Sequence, residues 1–160
     1  MNRVLRGAIA GAAGTIALDL TTYGDMLIRG RGASSVPAQV AGVLAGSFGI
    51  TPLATSAEGE KADNRREAAG ALLGYTTGVG IGVLYGVLRG QPHERTSPLA
   101  GAAVGLSAMA ASDLPIALTG VSDPATWSAT DWLSDIIPHL VYGLVTVAVY
   151  DALRGTSRAT

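Results

Sequence analysis

Four stretches of this chain, about 4–28, 68–88, 98–119 and 132–153, stay apolar for more than twenty residues with few charges among them. A helix needs about 20 such residues to cross the hydrocarbon core of a bilayer. Too little of the chain lies outside these runs to build a soluble core, so the expected fold class is an all-α membrane protein. The architecture is a four-transmembrane-helix bundle, with residues 1–160 forming a single integral membrane domain. A hydrophobic share of 48% against 14% charged residues agrees with that class.

The second run, GALLGYTTGVGIGVLYGVLRG, places glycine at 70, 74, 78, 82, 86 and 90. In water each would cost a helix about 1 kcal/mol relative to alanine. Lipid offers no hydrophobic drive between helices, and small residues offset their cost there by letting backbones approach closely. The ladder therefore reads as a glycine zipper, with Gly70, Gly74, Gly78, Gly82 and Gly86 as helix-packing positions. Residues four apart drift by about 40° per step around a helix. Lower and upper glycines should thus meet different neighbours, which predicts span 2 as the central packing post.

Between spans 1 and 2, residues 36–53 are apolar again but glycine-rich and bounded by Pro37 and Pro52. A fifth span is one reading; the preferred one is a short interfacial or re-entrant helix at about 37–50, because the uninterrupted stretch is too short to cross. The charged tract from Thr55 to Glu67 reads as a solvated loop, and GQPHERTSP as a turn in which His93 is solvated. The third connection has no Lys or Arg but holds Asp123, Asp131, Trp127 and Trp132, which places it outside with its tryptophans at headgroup level. Both termini, with Arg3, Arg6, Arg154 and Arg158, are then cytoplasmic. Against this stands the first connection, which falls outside as well yet holds Arg29, Arg31, Lys61, Arg65 and Arg66. The start, MNRVLRGAIAGAAG, has a signal-like pattern without a convincing cleavage site before Asp19, so an uncleaved first span is expected.

Eleven basic and twelve acidic residues are scattered through the chain, giving a net charge of −1, and nothing resembles a polybasic arm for nucleic acid. Absence of cysteine removes disulfides and thiolate chemistry, and two histidines are too few for a histidine-built metal site. No cofactor and no metal is expected. The expected partners are the lipid bilayer and a second copy or another membrane protein.

Residues 7–20 and 101–114 align at one offset, matching Gly7 with Gly101, Gly11 with Gly105 and Asp19 with Asp113. Farther on, VLYGVLRG at 83–90 lies over AVYDALRG at 148–155, matching Tyr85 with Tyr150. These matches suggest two parallel helical-hairpin repeats, although segments rich in Gly and Ala produce chance identities easily.

Span 4 carries Asp131, Asp135, His139, Tyr142, Thr146 and Tyr150 at steps of four and three, a single polar stripe on a helix. Pro138 frees the carbonyl of Ser134 in the same region. Span 1 adds Thr15, Asp19, Thr22 and Tyr23, and span 3 adds Ser112 and Asp113. An ionisable group at the centre of a span costs at least about 2.5 kcal/mol and by default faces the bundle interior. Asp19, Asp113, Asp135 and His139 are therefore candidates for an ion- or proton-binding cluster: carboxylates together in a low dielectric share a proton, and a histidine beside them relays it. The plainer alternative is that they cap helix ends or hydrogen-bond helix to helix. Asp25 and Asp151 are expected at solvent or headgroups.

No catalytic motif survives inspection. GVGIGVLYG lacks the strand that a dinucleotide-binding loop requires, and Ser112 has no evident base partner in the sequence, so an enzyme is the less favoured class.

The run Ser134, Asp135, Ile136, then His139, Leu140, Val141 and Tyr142, closing on Asp151 and Arg154, resembles the C-terminal part of the YagU-like family of small bacterial inner-membrane proteins. Pro138 departs from that pattern. The resemblance implies a helical protein of the bacterial inner membrane and supplies no role for Asp135 and His139. Two functions are expected from these readings. The first is a helix-packing assembly or envelope-integrity protein; the alternative is a proton- or cation-linked channel or transporter using Asp19, Asp113, Asp135 and His139.

Overall fold

The computed structural model describes residues 1–89 and 97–156, and these are all-helical apart from turns and loops. Gly90, Pro92, His93 and Arg158 lie outside the described residues. Among the described residues five α-helices follow in order: α1 (Arg3–Arg29), α2 (Val36–Ser47), α3 (Glu60–Leu88), α4 (Pro98–Thr119) and α5 (Ala129–Thr156). All but α2 are long and apolar enough to cross a membrane.

Local chemistry sets the helix ends. The Asn2 side chain accepts from the Leu5 amide at 2.8 Å to open α1, and Gly30 closes it at φ 63°, a left-handed turn that suits glycine. Ser128 and Asp131 cap α5 reciprocally: the Ser128 amide donates to Asp131 Oδ2 at 3.0 Å and the Asp131 amide to Ser128 Oγ at 3.2 Å. Helix α3 starts at Glu60, within the tract expected to be a solvated loop. Glu60 and Asp63 in its first turn complement the helix dipole, and Lys61, Arg65, Arg66 and Glu67 are strong helix formers, so a charged segment extends the apolar run.

The long helices alternate in direction. α1 packs closely on both α3 and α5, α5 also on α4, while the α3–α4 side is looser and carries α2. Helix α2 lies beside the charged start of α3: a Cβ added at Gly42 would meet the Arg66 side chain, and one at Gly70 would meet Pro37. Arg66 in turn donates to the carbonyls of Ala54 and Ala57 at 3.0 and 2.9 Å. At 12 residues α2 is the short helix expected between spans 1 and 2, and it packs where the charged start of α3 gives way to its apolar run.

Glycine makes the close seams. A Cβ at Gly82 would lie 2.5 Å from the Gly11 Cα, and one at Gly86 would lie 3.1 Å from the Gly7 Cα. At the α4–α5 seam, a Cβ at Gly143 would lie 2.7 Å from the Gly105 Cα, and one at Gly101 would lie 3.0 Å from the Leu144 Cα. Residues paired by the internal alignment thus do the same task, since Gly7 and Gly11 seat α1 on α3 while Gly101 and Gly105 seat α4 on α5. Tyr85 and Tyr150, also paired, meet edge to face at 5.2 Å, as residues beside a two-fold axis would.

Two expectations for the ladder need correction. A Cβ at Gly74 would meet nothing within 4 Å, so Gly74 takes no part in the seams within this chain. The drift around the helix explains this: Gly70 faces α2, Gly78 to Gly86 face α1 and α5, and Gly74 points between them. Nor is α3 the central post, since only 17% of its apolar window is buried against 33% for α5. Glycine permits approach but brings no side chain to bury, while Leu72, Leu84 and Leu88 of α3 point outward. The interior is built from small residues such as Ala10, Ala41, Ala45 and Ala108, with large apolar side chains such as Leu27 and Ile28 outside, the distribution suited to a lipid solvent.

Candidate functional site

The polar stripe of α5 divides into three parts. Asp131 is spent on the cap. Tyr142, Thr146 and Tyr150 are the largest fully buried side chains and face α1 and α3, with both phenols donating to glycine carbonyls of α3. Asp135 and His139 turn toward α4.

There the site is assembled across the Gly105–Gly143 seam. His139 Nδ1 lies 2.8 Å from the carbonyl oxygen of Asp135, one turn earlier, and 3.2 Å from Asp135 Oδ1. Nε2 lies 3.4 Å from Ser112 Oγ on α4, and that hydroxyl donates to the Met109 carbonyl at 2.9 Å. Asp113 is close enough to interact electrostatically with both Asp135 and His139. The side chains of His139 and Asp135 are 13% and 23% exposed, and the buried Oδ2 of Asp135 has no donor other than the Asp113 carboxyl, with which it can share a proton. A carbonyl can only accept, so Nδ1 carries a hydrogen in this arrangement.

Three of the four expected site residues therefore converge, and Asp19 does not. Tyr75 of α3 donates to Asp19 Oδ2 at 3.2 Å, at the α1–α3 seam. The alignment of the two hairpins accounts for the separation: Asp19 and Asp113 hold matching positions in different hairpins, so each meets its own partner helix. Asp25 is bound by Arg29 at 2.7 Å and Arg31 at 2.6 Å, and Asp151 by Arg154 at 3.2 Å. Among the described residues no group of three His, Cys, Asp or Glu is arranged to hold a metal ion.

Ser112, set aside in the sequence for want of a base partner, has one in the structure. Its base partner lies 27 positions away on another helix, a distance no local motif encodes. Ser112, His139 and Asp135 stand in the order of a serine hydrolase triad. However, Ser112 is mid-helix, where the neighbouring amides are committed to helix bonds and cannot serve as oxyanion donors. The arrangement suits proton handling rather than acyl transfer.

A groove of about 310 Å³ opens nearby between α1 and α5, lined by Thr21, Asp25, Arg29, Ser134 and Pro138 among others. Arg29 also donates to Ser134 Oγ at 2.6 Å, tying the end of α1 to the start of α5. Comparison with models of known protein families, with curated proteins and with solved structures finds no match to this chain.

Proposed function

We propose that this chain is a proton-linked membrane protein of the channel or transporter class, with Asp113, Asp135 and His139 as its proton-binding site. The observation that carries the reading is the meeting of the Asp113 and Asp135 carboxyls beside the His139 imidazole, in helices apolar enough to span a bilayer. Two carboxyls held together in such a place are expensive as plain packing while both are charged, and one proton shared between them relieves that cost.

The assembly or envelope-integrity reading has less support. Gly78, Gly82 and Gly86 are consumed in seams within one chain, leaving Gly74 and Gly80 as the ladder-side glycines with open space for another helix. For location we propose the bacterial inner membrane with both termini cytoplasmic, on the YagU-like resemblance and on the third connection, which has no Lys or Arg.

The test is proton flux in proteoliposomes containing the full chain. The wild-type protein is expected to dissipate an imposed pH gradient, and Asp113→Asn or His139→Ala to abolish that flux with the helical content retained. No flux above empty liposomes in the wild type would overturn the proposal.

A further inference from the structure

The imidazole of His139 is held between an atom that only accepts and one that can do either. At Nδ1 stands the Asp135 carbonyl oxygen, 2.8 Å away. At Nε2 stands Ser112 Oγ, 3.4 Å away, whose hydroxyl has a second outlet in the Met109 carbonyl at 2.9 Å. The seam fixes these distances: a Cβ at Gly105 would lie 3.0 Å from the carbonyl carbon of His139, so α4 and α5 are already in backbone contact less than two turns before Ser112.

We propose that Ser112 is the relay residue through which a proton reaches and leaves His139, so that α4 responds to the charge carried on α5. The inference rests on the proton-binding reading above. With His139 neutral, Nε2 has a lone pair and the Ser112 hydroxyl turns toward it. When a hydronium ion delivers a proton to Ser112 Oγ, the original O–H bond breaks as the Nε2–H bond forms. The delivered proton stays on Oγ and points at the Met109 carbonyl, and a water molecule is released. The imidazolium then donates from both nitrogens, to Asp135 and to Ser112. The charged groups facing it are Asp135 on its own helix and Asp113 on α4; among the described residues no charged group of α1, α2 or α3 interacts with it.

The chain has two histidines, so His93→Gln leaves His139 as the single imidazole and its ¹⁵N resonances can be read without ambiguity. In that background the full chain is reconstituted as wild type, Ser112→Ala and Ser112→Thr. Ser112→Ala is expected to lower proton flux about tenfold, the loss of one hydrogen bond to a charged group, and to change the Nε2 resonance and its titration curve. Ser112→Thr, which restores the hydroxyl, is expected to restore both. A packing role alone would shift melting temperature and leave the Nε2 resonance in place. The inference is overturned if Ser112→Ala keeps both the flux–pH profile and the Nε2 resonance of the parent. Should the parent show no flux, transport itself fails, and the Nε2 resonance still decides whether Ser112 governs the imidazole.

Discussion

Tyr142 of α5 donates its phenol proton to the Gly78 carbonyl of α3 at 2.6 Å, and eight residues later Tyr150 does the same to Gly86 at 3.1 Å. Equal spacing on the two helices means that they run parallel in matched register, joined by long side chains. Glycine exposes its carbonyl to such a donor, so the ladder serves as an acceptor surface as well as a groove.

Replacing Tyr142 with Phe removes the donor and keeps the ring. The expected cost is about 1 kcal/mol, whereas Tyr142→Ala, which also opens a cavity, is expected to cost about 3 kcal/mol or more. Thermal unfolding in detergent measures both. Equal stability of wild type and Tyr142→Phe would remove the hydrogen bond from the account.

Gly82 and Gly74 differ in environment by two turns of one helix. Gly82→Ala is expected to destabilise the bundle, because the new methyl would lie 2.5 Å from the Gly11 Cα, while Gly74→Ala meets nothing and gains helix propensity. Melting temperatures that fall for Gly82→Ala and hold or rise for Gly74→Ala are the expected result; equal losses would contradict the assignment of the seam.

Asp19 and Asp113 look alike in the chain and are expected to behave differently. Asp19 bonds Tyr75 at the other seam, so Asp19→Asn should keep proton flux within about twofold of wild type, the small effect expected of an interhelical bond. Asp113→Asn should lose it. Loss of flux in Asp19→Asn would show that the two hairpins share one site.

Much of this fold is legible in the chain because lipid imposes a simple rule: a spanning helix must be apolar over its length, and four runs meet it. Asp135 and His139 are legible too, being one turn apart on the same face. Asp19 misleads because helical periodicity gives a residue's face but not which neighbour that face meets. The internal alignment held that information, for it placed Asp19 and Asp113 in different hairpins. Gly74 misleads because a step of four residues is not a whole number of turns, so one ladder serves several faces. The partner of Ser112 is invisible in sequence because it is set by the Gly105–Gly143 seam, which exists only once α4 and α5 are packed.

Infrared difference spectra of the reconstituted protein between neutral and acidic pH test most directly whether Asp113, Asp135 and His139 form one proton-binding site. The account expects a carboxyl C=O band that gains intensity on acidification, disappears in Asp113→Asn and moves in His139→Gln, since the three groups share one field. A spectrum that neither substitution alters would contradict it.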